Sequence, residues 1–154
     1  LGCGTGLCGR LIRPRADHLS GVDLSSAMVA KAQALGVYDS LHALELVDFL
    51  KQGNEQADLV LAADVFIYVG RLEAVFEALS PRVRPGGWLA FTVEEADPGL
   101  AVQLHSTLRY AHALTYLQGL AAQHGWQWAR VQRAPLRLDQ AQPLMGAYVY
   151  LQKT

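Results

Sequence analysis

The residues best placed to do chemistry are a glycine-rich stretch at the start of the chain and an aspartate soon after it. Residues 1–9 read LGCGTGLCG and hold four glycines, so the backbone can turn where side chains would clash. A loop of this kind between a strand and a helix lets main-chain N–H groups approach a bound ligand closely. Asp23 lies where a strand is predicted to end, and a carboxylate there accepts hydrogen bonds from ribose hydroxyls. The two features predict a site for a cofactor that contains a nucleoside.

Two cofactor fingerprints overlap in this stretch. Residues 4–9, GTGLCG, fit the G-x-G-x-x-G pattern of dinucleotide-binding proteins. Residues 2–6, GCGTG, fit G-x-G-x-G, and the six letters LGCGTG resemble motif I of the class I S-adenosylmethionine (SAM) methyltransferases. Both patterns place Asp23 at the ribose, so the loop and this carboxylate do not separate SAM from a nicotinamide cofactor.

The elements that must position these residues alternate between helix and strand. Apolar spacing, turn residues and helix caps predict helices at 7–12, 27–34, 47–51, 72–79 and 115–124, and strands at 18–24, 41–46, 58–64, 88–93, 126–138 and 145–151. The segment between 94 and 115 is predicted to be irregular. This order predicts a doubly wound, Rossmann-like α/β sheet, mostly parallel, with a C-terminal antiparallel hairpin.

One strand of that architecture is expected but not found in the sequence. In doubly wound folds the first strand leads into the glycine-rich loop and lies in the middle of the sheet, yet only Leu1 precedes the loop. We therefore expect residues 1–154 to be one domain that lacks its N-terminal strand and any upstream segment. Such a piece would expose unpaired strand edges and be prone to aggregate.

Composition limits the partners and the compartment. The 154 residues are 51% hydrophobic and 18% charged, with a formal net charge of −1, which is typical of one globular domain without an electrostatic footprint for nucleic acid or anionic membrane. Cys3 and Cys8 form neither a C-x-x-C nor a zinc pattern, and the histidines are scattered. We predict a cytoplasmic protein with a small-molecule substrate, no metal, no nucleic acid and no membrane partner, and leave the oligomeric state open.

Four stretches in order resemble class I SAM-dependent methyltransferases over about two-thirds of the chain. These stretches are LGCGTG at 1–6, GVDLSSAM at 21–28, DLVLAADVFIYV at 58–69 and RPGGWLAFTVEE at 84–95. A dehydrogenase fingerprint predicts none of the last three. Within that family the chain is most similar to the bacterial TPR-repeat-containing methyltransferases, which RYAHALTYL at 109–117 also resembles. That group often carries an upstream helical-repeat segment, which would agree with a missing N-terminus.

The resemblance assigns cofactor residues by position. The glycine loop would wrap the amino-acid part of SAM, Asp23 would bind the ribose, and Glu45 aligns with an acid that contacts adenine, for which Asp48 is the alternative. A glutamate in place of the family's usual aspartate is a departure. The full set implied for the cofactor is Gly2, Cys3, Gly4, Gly6, Asp23, Leu24, Met28, Glu45, Leu46, Ala62 and Ala63.

The acceptor side is predicted from topology. Asp64 and Tyr68 face the substrate in such folds, and Glu94 and Arg109 join them as candidate substrate residues. Tyr110 and His112, in the segment before the last helix, are candidate catalytic residues. Each has an ordinary alternative: His112 equally suits a surface or helix-capping histidine, Arg109 a solvated side chain, and Tyr110 a packing residue.

The predicted function is methyl transfer from SAM to a small-molecule acceptor by in-line displacement, with S-adenosylhomocysteine (SAH) as product and no metal. A SAM-binding regulatory or partner module without turnover is the alternative in another class, and an NAD-linked oxidoreductase is a third. The sequence leaves open whether the acceptor atom is O, N, C or S.

Overall fold

Two units, residues 1–54 and 55–154, make up the chain. The computed structural model describes residues 1–139 and 142–154, apart from the side chain of residue 139. Each unit is built from helices and strands that follow one another in sequence.

Unit 1, residues 1–54, alternates short helices with two short strands. Its elements are α1 (Leu7–Ile12), a 3-10 turn (Arg13–Arg15), β1 (Ser20–Asp23), α2 (Ser26–Ala34), β2 (Ser40–Ala43) and α3 (Leu46–Gln52). β1 and β2 pair in parallel, with Asp23 opposite Ala43. Ser25 is the N-cap of α2, because its side chain accepts a hydrogen bond from the Met28 N–H. Serine side chains suit an N-cap by their chemistry, and of the two serines after Leu24 it is Ser25 that takes this position.

Unit 2, residues 55–154, holds a four-stranded sheet in the order β3-β4-β8-β7 and a separate hairpin of β5 and β6. β3 is parallel to β4, while β8 is antiparallel to both β4 and β7. The bounds are β3 (Ala57–Ala62), a 3-10 turn (Phe66–Tyr68), α4 (Glu73–Leu79), a 3-10 turn (Ser80–Arg82), β4 (Val83–Val93), β5 (Val102–Leu104), β6 (Tyr110–His112), α5 (Leu114–Gln123), β7 (Trp126–Asp139) and β8 (Gln142–Lys153).

The core of unit 2 lies against the β3–β4 part of the sheet. Phe66, Phe76 and Phe91 are buried, and the rings of Phe66 and Phe76 lie 5.1 and 6.4 Å from that of Phe91. Tilted and edge-on aromatic pairs of this kind add to the free energy gained by burial. The 3-10 turn after β3 and helix α4 are thereby fixed against β4.

Three predictions about the strands need correction. The continuous apolar run at 58–64 is typical of a parallel strand buried on both faces, but β3 is an edge strand of its sheet and Leu59 is 42% exposed. The Pro-Gly-Gly sequence at 85–87 is typical of a turn, but these residues lie within β4, where the register against β3 shifts and Gly86 has φ 79°. The segment after residue 94 was expected to be irregular, but it contains the β5–β6 hairpin, in which Val102 faces His112.

Candidate functional site

The glycine loop of unit 1 is tied to the end of β1 by Asp23. Gly2, Gly4 and Gly6 all have positive φ angles, of 58°, 53° and 90°. Asp23 Oδ2 accepts the Gly4 N–H at 2.8 Å, and Oδ1 accepts the Ser25 N–H at 2.9 Å. Because backbone donors hold both carboxylate oxygens, this side chain fixes the loop and the start of α2 relative to β1.

The middle of the loop faces open space, while its C-terminal part is tightly packed. A Cβ added at Gly4 would meet no atom within 4 Å, whereas one at Gly6 would lie 2.7 Å from Leu35 Cδ1. At Gly9 an added Cβ would lie 2.4 Å from the Tyr38 ring. A loop that is open at Gly4, with a carboxylate beside it, fits the amino-acid and ribose parts of SAM.

Cys3 lies within this loop, and its environment argues against a reactive thiol. Burial, followed by the charge of Asp23, raises the pKa of the Cys3 thiol above its ordinary value. A raised pKa keeps the thiol protonated, and the thiolate is the reactive form. The side chain is a small filler of the loop, as the missing redox motif predicts.

The residues predicted to lie near adenine in unit 1 have clear local roles. Glu45 is the N-cap of α3, and its Oε2 accepts the N–H groups of Val47 at 2.7 Å and Asp48 at 3.1 Å. Asp48 is exposed in the first turn of that helix. Leu24 is 76% exposed beyond the end of β1, and Met28 is half-buried in α2. Which of the two acids contacts adenine stays a prediction.

In unit 2, Asp64 and Glu94 lie beyond the carboxyl ends of β3 and β4, and an arginine joins them. Asp64 has φ 59°, and its N–H donates to Thr92 Oγ1 at 2.8 Å. Arg137, on β7, donates from one terminal nitrogen to Asp64 Oδ1 at 2.5 Å and from the other to Glu94 Oε1. Glu94 is only 7% exposed. We call these three residues, Asp64, Glu94 and Arg137, the charge cluster.

Arg137 is the functional candidate that sequence reasoning missed. It is 73 residues from Asp64 in the chain, and the pattern of residues 126–138 shows only a strand that contains arginines. The pairing follows from the β7–β8 hairpin, in which Arg137 lies opposite Leu144. β8 pairs with β4 only from Ala147 onward, so Arg137 is carried beyond the last paired residue of β4.

His112 is buried within the strand β6, whereas the sequence predicts an irregular segment there. Its Nε2 lies 2.7 Å from the Gly70 carbonyl and 3.1 Å from the Val69 carbonyl. Since carbonyls only accept, Nε2 carries the proton, and Nδ1 is buried without a partner among the described residues. Burial, opposed by the two carbonyls, lowers the pKa of His112. The side chain holds the segment after β3 in place.

Two tyrosines hold the same segment. A Cβ added at Gly70 would lie 3.2 Å from the Tyr110 ring, so this ring packs against the backbone there. The Tyr116 hydroxyl accepts the Leu72 N–H at 2.7 Å and donates to Glu73 Oε2 at 2.9 Å. The Tyr116 ring also stacks on His112, with centroids 6.3 Å apart. Whether Tyr110 also borders the acceptor stays a prediction.

The other site residues predicted in unit 2, for the cofactor and for the acceptor, are spread out. Tyr68 is 65% exposed in the 3-10 turn after β3, Ala62 is fully buried and Ala63 is exposed. Arg109 lies at the β5–β6 turn, where its carbonyl accepts the His105 N–H at 2.9 Å. The structure therefore brings Asp64 and Glu94 together, and leaves Arg109 on the hairpin turn.

An open cavity of about 600 Å³ lies beside the segment that follows β4. Its walls come from that segment, from the first turn of α5 and from Arg133, which is paired with Glu95 at 2.6 and 2.8 Å. The lining residues are Glu95, Ala96, Asp97, Pro98, Gly99, Leu100, Ala101, Ala113, Leu114, Thr115, Tyr116 and Arg133. A volume of this size is in the range of small-molecule pockets.

Within residues 1–139 and 142–154, no group of three or more His, Cys, Asp or Glu side chains is arranged to hold a metal ion. In the same part of the chain, no helix has the length and apolar character needed to cross a membrane.

Comparison with known sequences points to one family. A family model described as a methyltransferase domain matches residues 1–89, more than half of the chain. The ubiquinone biosynthesis O-methyltransferase of Paraburkholderia phytofirmans is 33% identical over 103 residues, which are 60% of this chain and 41% of that protein. The corresponding protein of Bordetella avium is 26% identical over 102 residues, 64% of this chain and 42% of that protein. The chain thus spans about two-fifths of the length of these curated relatives.

Solved structures share the fold at low sequence identity. An S-adenosylmethionine-dependent methyltransferase from Mesorhizobium loti superposes with a TM-score of 0.79 at 18% identity, over 99% of this chain and 88% of that chain. Magnesium protoporphyrin IX methyltransferase from Synechocystis PCC 6803, solved with bound SAM, superposes with a TM-score of 0.75 at 18% identity. The match covers 99% of this chain and 67% of that chain. These likenesses confirm the predicted Rossmann-like α/β fold.

Proposed function

Because the chain belongs to the methyltransferase domain family, we propose that it binds SAM through unit 1 and transfers the methyl group to a hydroxyl of a small molecule. The single observation that carries the proposal is the glycine loop tied to Asp23 and open at Gly4. The family match covers that loop, and the curated relatives are named O-methyltransferases. Since they are much longer than this chain, its acceptor is a proposal.

The cofactor side of the proposal keeps the residues that the resemblance assigns. Backbone N–H groups of the open loop face the amino-acid part of SAM, and Asp23 accepts hydrogen bonds from the ribose with its remaining lone pairs. Glu45 or Asp48 is proposed for the adenine. The other members of the proposed set are Gly2, Cys3, Gly6, Leu24, Met28, Leu46, Ala62 and Ala63.

The reaction asks little of the protein beyond orientation. When bound, SAM supplies a methyl group that is already electrophilic, because it is attached to a positively charged sulfur. The chain must hold the acceptor oxygen in line with the carbon–sulfur bond, and such positioning supplies a large part of the rate. The carbon–sulfur bond breaks as the carbon–oxygen bond forms, and the hydroxyl proton passes to a base or to water.

Asp64 is the proposed contact for that hydroxyl. Its carboxylate is 46% exposed although Arg137 holds one oxygen, so it can accept a hydrogen bond from an incoming group. Tyr68 and Glu94 are proposed to border the same acceptor. His112 is not proposed as the base, because its Nε2 donates to two carbonyls and its Nδ1 is buried. Tyr110 and Arg109 are also proposed to border the acceptor. If they do, Tyr110→Phe and Arg109→Gln should lower the turnover rate.

Two narrower expectations remain proposals. RYAHALTYL at 109–117 supports membership of the TPR-repeat-containing group, although the curated relatives are ubiquinone biosynthesis O-methyltransferases. The two free cysteines, Cys3 and Cys8, support a cytoplasmic location, because disulfides are rare in reducing compartments.

Titration calorimetry with SAM, SAH and NAD tests the cofactor directly. We expect binding of SAM and SAH but not of NAD. A methyl-transfer assay with labelled SAM and small hydroxyl compounds then tests the chemistry. Binding of SAM without transfer to any acceptor would favour a regulatory module, and binding of NAD alone would favour an oxidoreductase.

A further inference from the structure

The charge cluster of Asp64, Glu94 and Arg137 has an unequal charge balance. Arg137 pairs with two carboxylates at once, one 46% and one 9% exposed in its side chain. Two ionised carboxylates and one guanidinium leave a net charge of −1. The neighbouring pair on the same strand, Arg133 with Glu95, is balanced. The negative charge is therefore local to the cluster.

The cluster is fixed in position rather than mobile. The backbone of Asp64 is held by Thr92 Oγ1 on β4, and the Arg137 side chain is only 18% exposed. Glu94 is nearly buried, so its charge is screened less by solvent than that of a surface carboxylate. The half-exposed carboxylate of Asp64 is the part of the cluster that an incoming molecule can touch.

We propose that Arg137 and Asp64 set the charge preference of the acceptor site, so that cationic or neutral hydrogen-bond donors are accepted and acceptors with a carboxylate or phosphate are disfavoured. Arg137 is a positioning residue, because it holds Asp64 and Glu94. This inference rests on the proposed function, since it assumes that the acceptor approaches the carboxyl ends of β3 and β4. Ligands of open α/β sheets bind outside these ends.

Arg137 also limits the preference. With the guanidinium in place one of the two carboxylate charges is compensated, and without it both would repel an anion. Replacing Asp64 and replacing Arg137 by neutral residues should therefore change the preference in opposite directions. A structural role alone would move both variants the same way.

The test uses three phenols of similar shape that differ in charge: tyramine, 4-ethylphenol and 3-(4-hydroxyphenyl)propionate. Their dissociation constants are measured by NMR titration near neutral pH, with the full chain saturated with SAH. We expect tyramine to bind about tenfold more tightly than the propionate, with 4-ethylphenol between them, which is the difference between attraction and repulsion for unit charges about 6 Å apart at the dielectric constant of water. The ratio of the dissociation constant of the propionate to that of tyramine should fall towards one in Asp64→Asn and should increase in Arg137→Gln.

Matched controls exist on the same strands. Asp58 is at the other end of β3, where it pairs with Arg84, and Arg130 is an exposed residue of β7 that donates to Gln132 Oε1 at 2.9 Å. Asp58→Asn and Arg130→Gln change the total charge by the same amounts as Asp64→Asn and Arg137→Gln, and they should leave the ratio of dissociation constants unchanged. Circular dichroism checks that each variant folds, and if Arg137→Gln does not fold, Asp64→Asn against Asp58→Asn decides.

The outcomes separate this inference from the proposed function. If the parent binds neither SAM nor SAH, the proposed function fails and the inference fails with it. If SAH binds normally but the propionate binds as well as tyramine, or no phenol binds, only the inference is overturned. Equal ratios in Asp64→Asn and Asp58→Asn also overturn it, because the charge preference would then come from the whole protein.

Discussion

Asp23 combines two functions in one side chain, and this affects how its replacement should be judged. Asp23→Ala removes the proposed ribose acceptor and also releases the Gly4 and Ser25 N–H groups. Hydrogen bonds to a charged group contribute about 1.5–3 kcal/mol, so we expect SAM to bind at least about tenfold more weakly. Titration calorimetry on the folded variant measures the change.

The control for Asp23 is another carboxylate of unit 1 with a structural role. Asp39 accepts the Leu19 N–H at 2.7 Å and pairs with Arg13. Asp39→Ala should lower the stability of the fold without lowering SAM affinity. If both variants bind SAM as tightly as the parent, Asp23 does not contact the ribose.

His112 should make stability depend on pH. Burial, opposed by the carbonyls of Gly70 and Val69, lowers its pKa in the folded chain, while the unfolded chain titrates near the ordinary value of about 6.5. Below about pH 6.5 the unfolded chain binds a proton that the folded chain does not, so the free energy of unfolding falls as the pH falls. Urea denaturation between pH 7.5 and 5.5 measures this.

Two substitutions separate His112 from the other histidines. His112→Gln keeps an N–H donor for the carbonyls but cannot titrate, so its loss of stability on acidification should be smaller than that of the parent. His18→Gln removes one histidine at an exposed position and should change the pH dependence less than His112→Gln does. An equal pH dependence in the His112→Gln variant would assign the effect to other groups.

At the scale of single residues, the sequence predicted roles that depend on near neighbours and missed those that depend on distant ones. Asp23 is the last residue of β1 and lies two residues before Ser25, so its place beside the loop was predictable. Arg137 meets Asp64 only through the β7–β8 hairpin, across 73 residues, which no local pattern records. The capping role of Glu45 was missed because its predicted role came from its aligned position in the family and not from the start of a helix at Leu46.

At the scale of elements, the glycine loop can be tested by comparing two glycines with the same backbone demand. Gly4 and Gly36 have φ of 53° and 64°, and an added Cβ at either would meet no atom within 4 Å. Valine at either position resists positive φ, so both variants should lose stability, by about 1–3 kcal/mol. Only Gly4→Val should lose SAM affinity, because Gly36 follows α2 and is not among the residues proposed to bind SAM.

Thermal unfolding and calorimetry give the two readouts for this pair. A Gly4→Val variant that keeps a native circular dichroism spectrum and full SAM affinity would contradict the loop assignment. If Gly36→Val also lost SAM affinity, the cause would be general strain in unit 1.

Elements with caps or long apolar patterns were predictable, and very short strands were not. Helix α1 was found at the predicted residues, and the C-terminal hairpin was found with longer strands than expected. β5 and β6 have three residues each, too few to show an alternating pattern. Leu108 at their turn has φ 59°, a conformation that the turn imposes and that leucine does not signal.

At the scale of the whole molecule, the apolar core is divided unequally between the two units. Among the described residues, Val22, Ala32 and Leu50 are the buried apolar side chains of unit 1, and the other 20 lie in unit 2. Buried apolar area is the main source of stability. Composition alone did not predict this division, because apolar residues occur along the entire chain.

The unequal core predicts that unit 1 opens at a lower free energy than unit 2 and that bound cofactor raises the free energy of opening of unit 1. Regions with few buried apolar contacts open at lower free energy, and hydrogen exchange measures that opening amide by amide. In the free chain, amides of β1, α2 and β2 should exchange faster than those of β4 and β8.

The bound cofactor should slow exchange in unit 1. A ligand that binds only the closed form, present at 100 times its dissociation constant, adds about 2.7 kcal/mol to the free energy of opening. SAH at that level should therefore slow the unit 1 amides by about 100-fold. Asp23→Ala should weaken this protection at the same SAH concentration, whereas Asp39→Ala should retain it. If the unit 1 amides of the free chain already exchange as slowly as those of β4, core size does not set the order of opening, and if SAH protects neither unit, the loop is not its binding site.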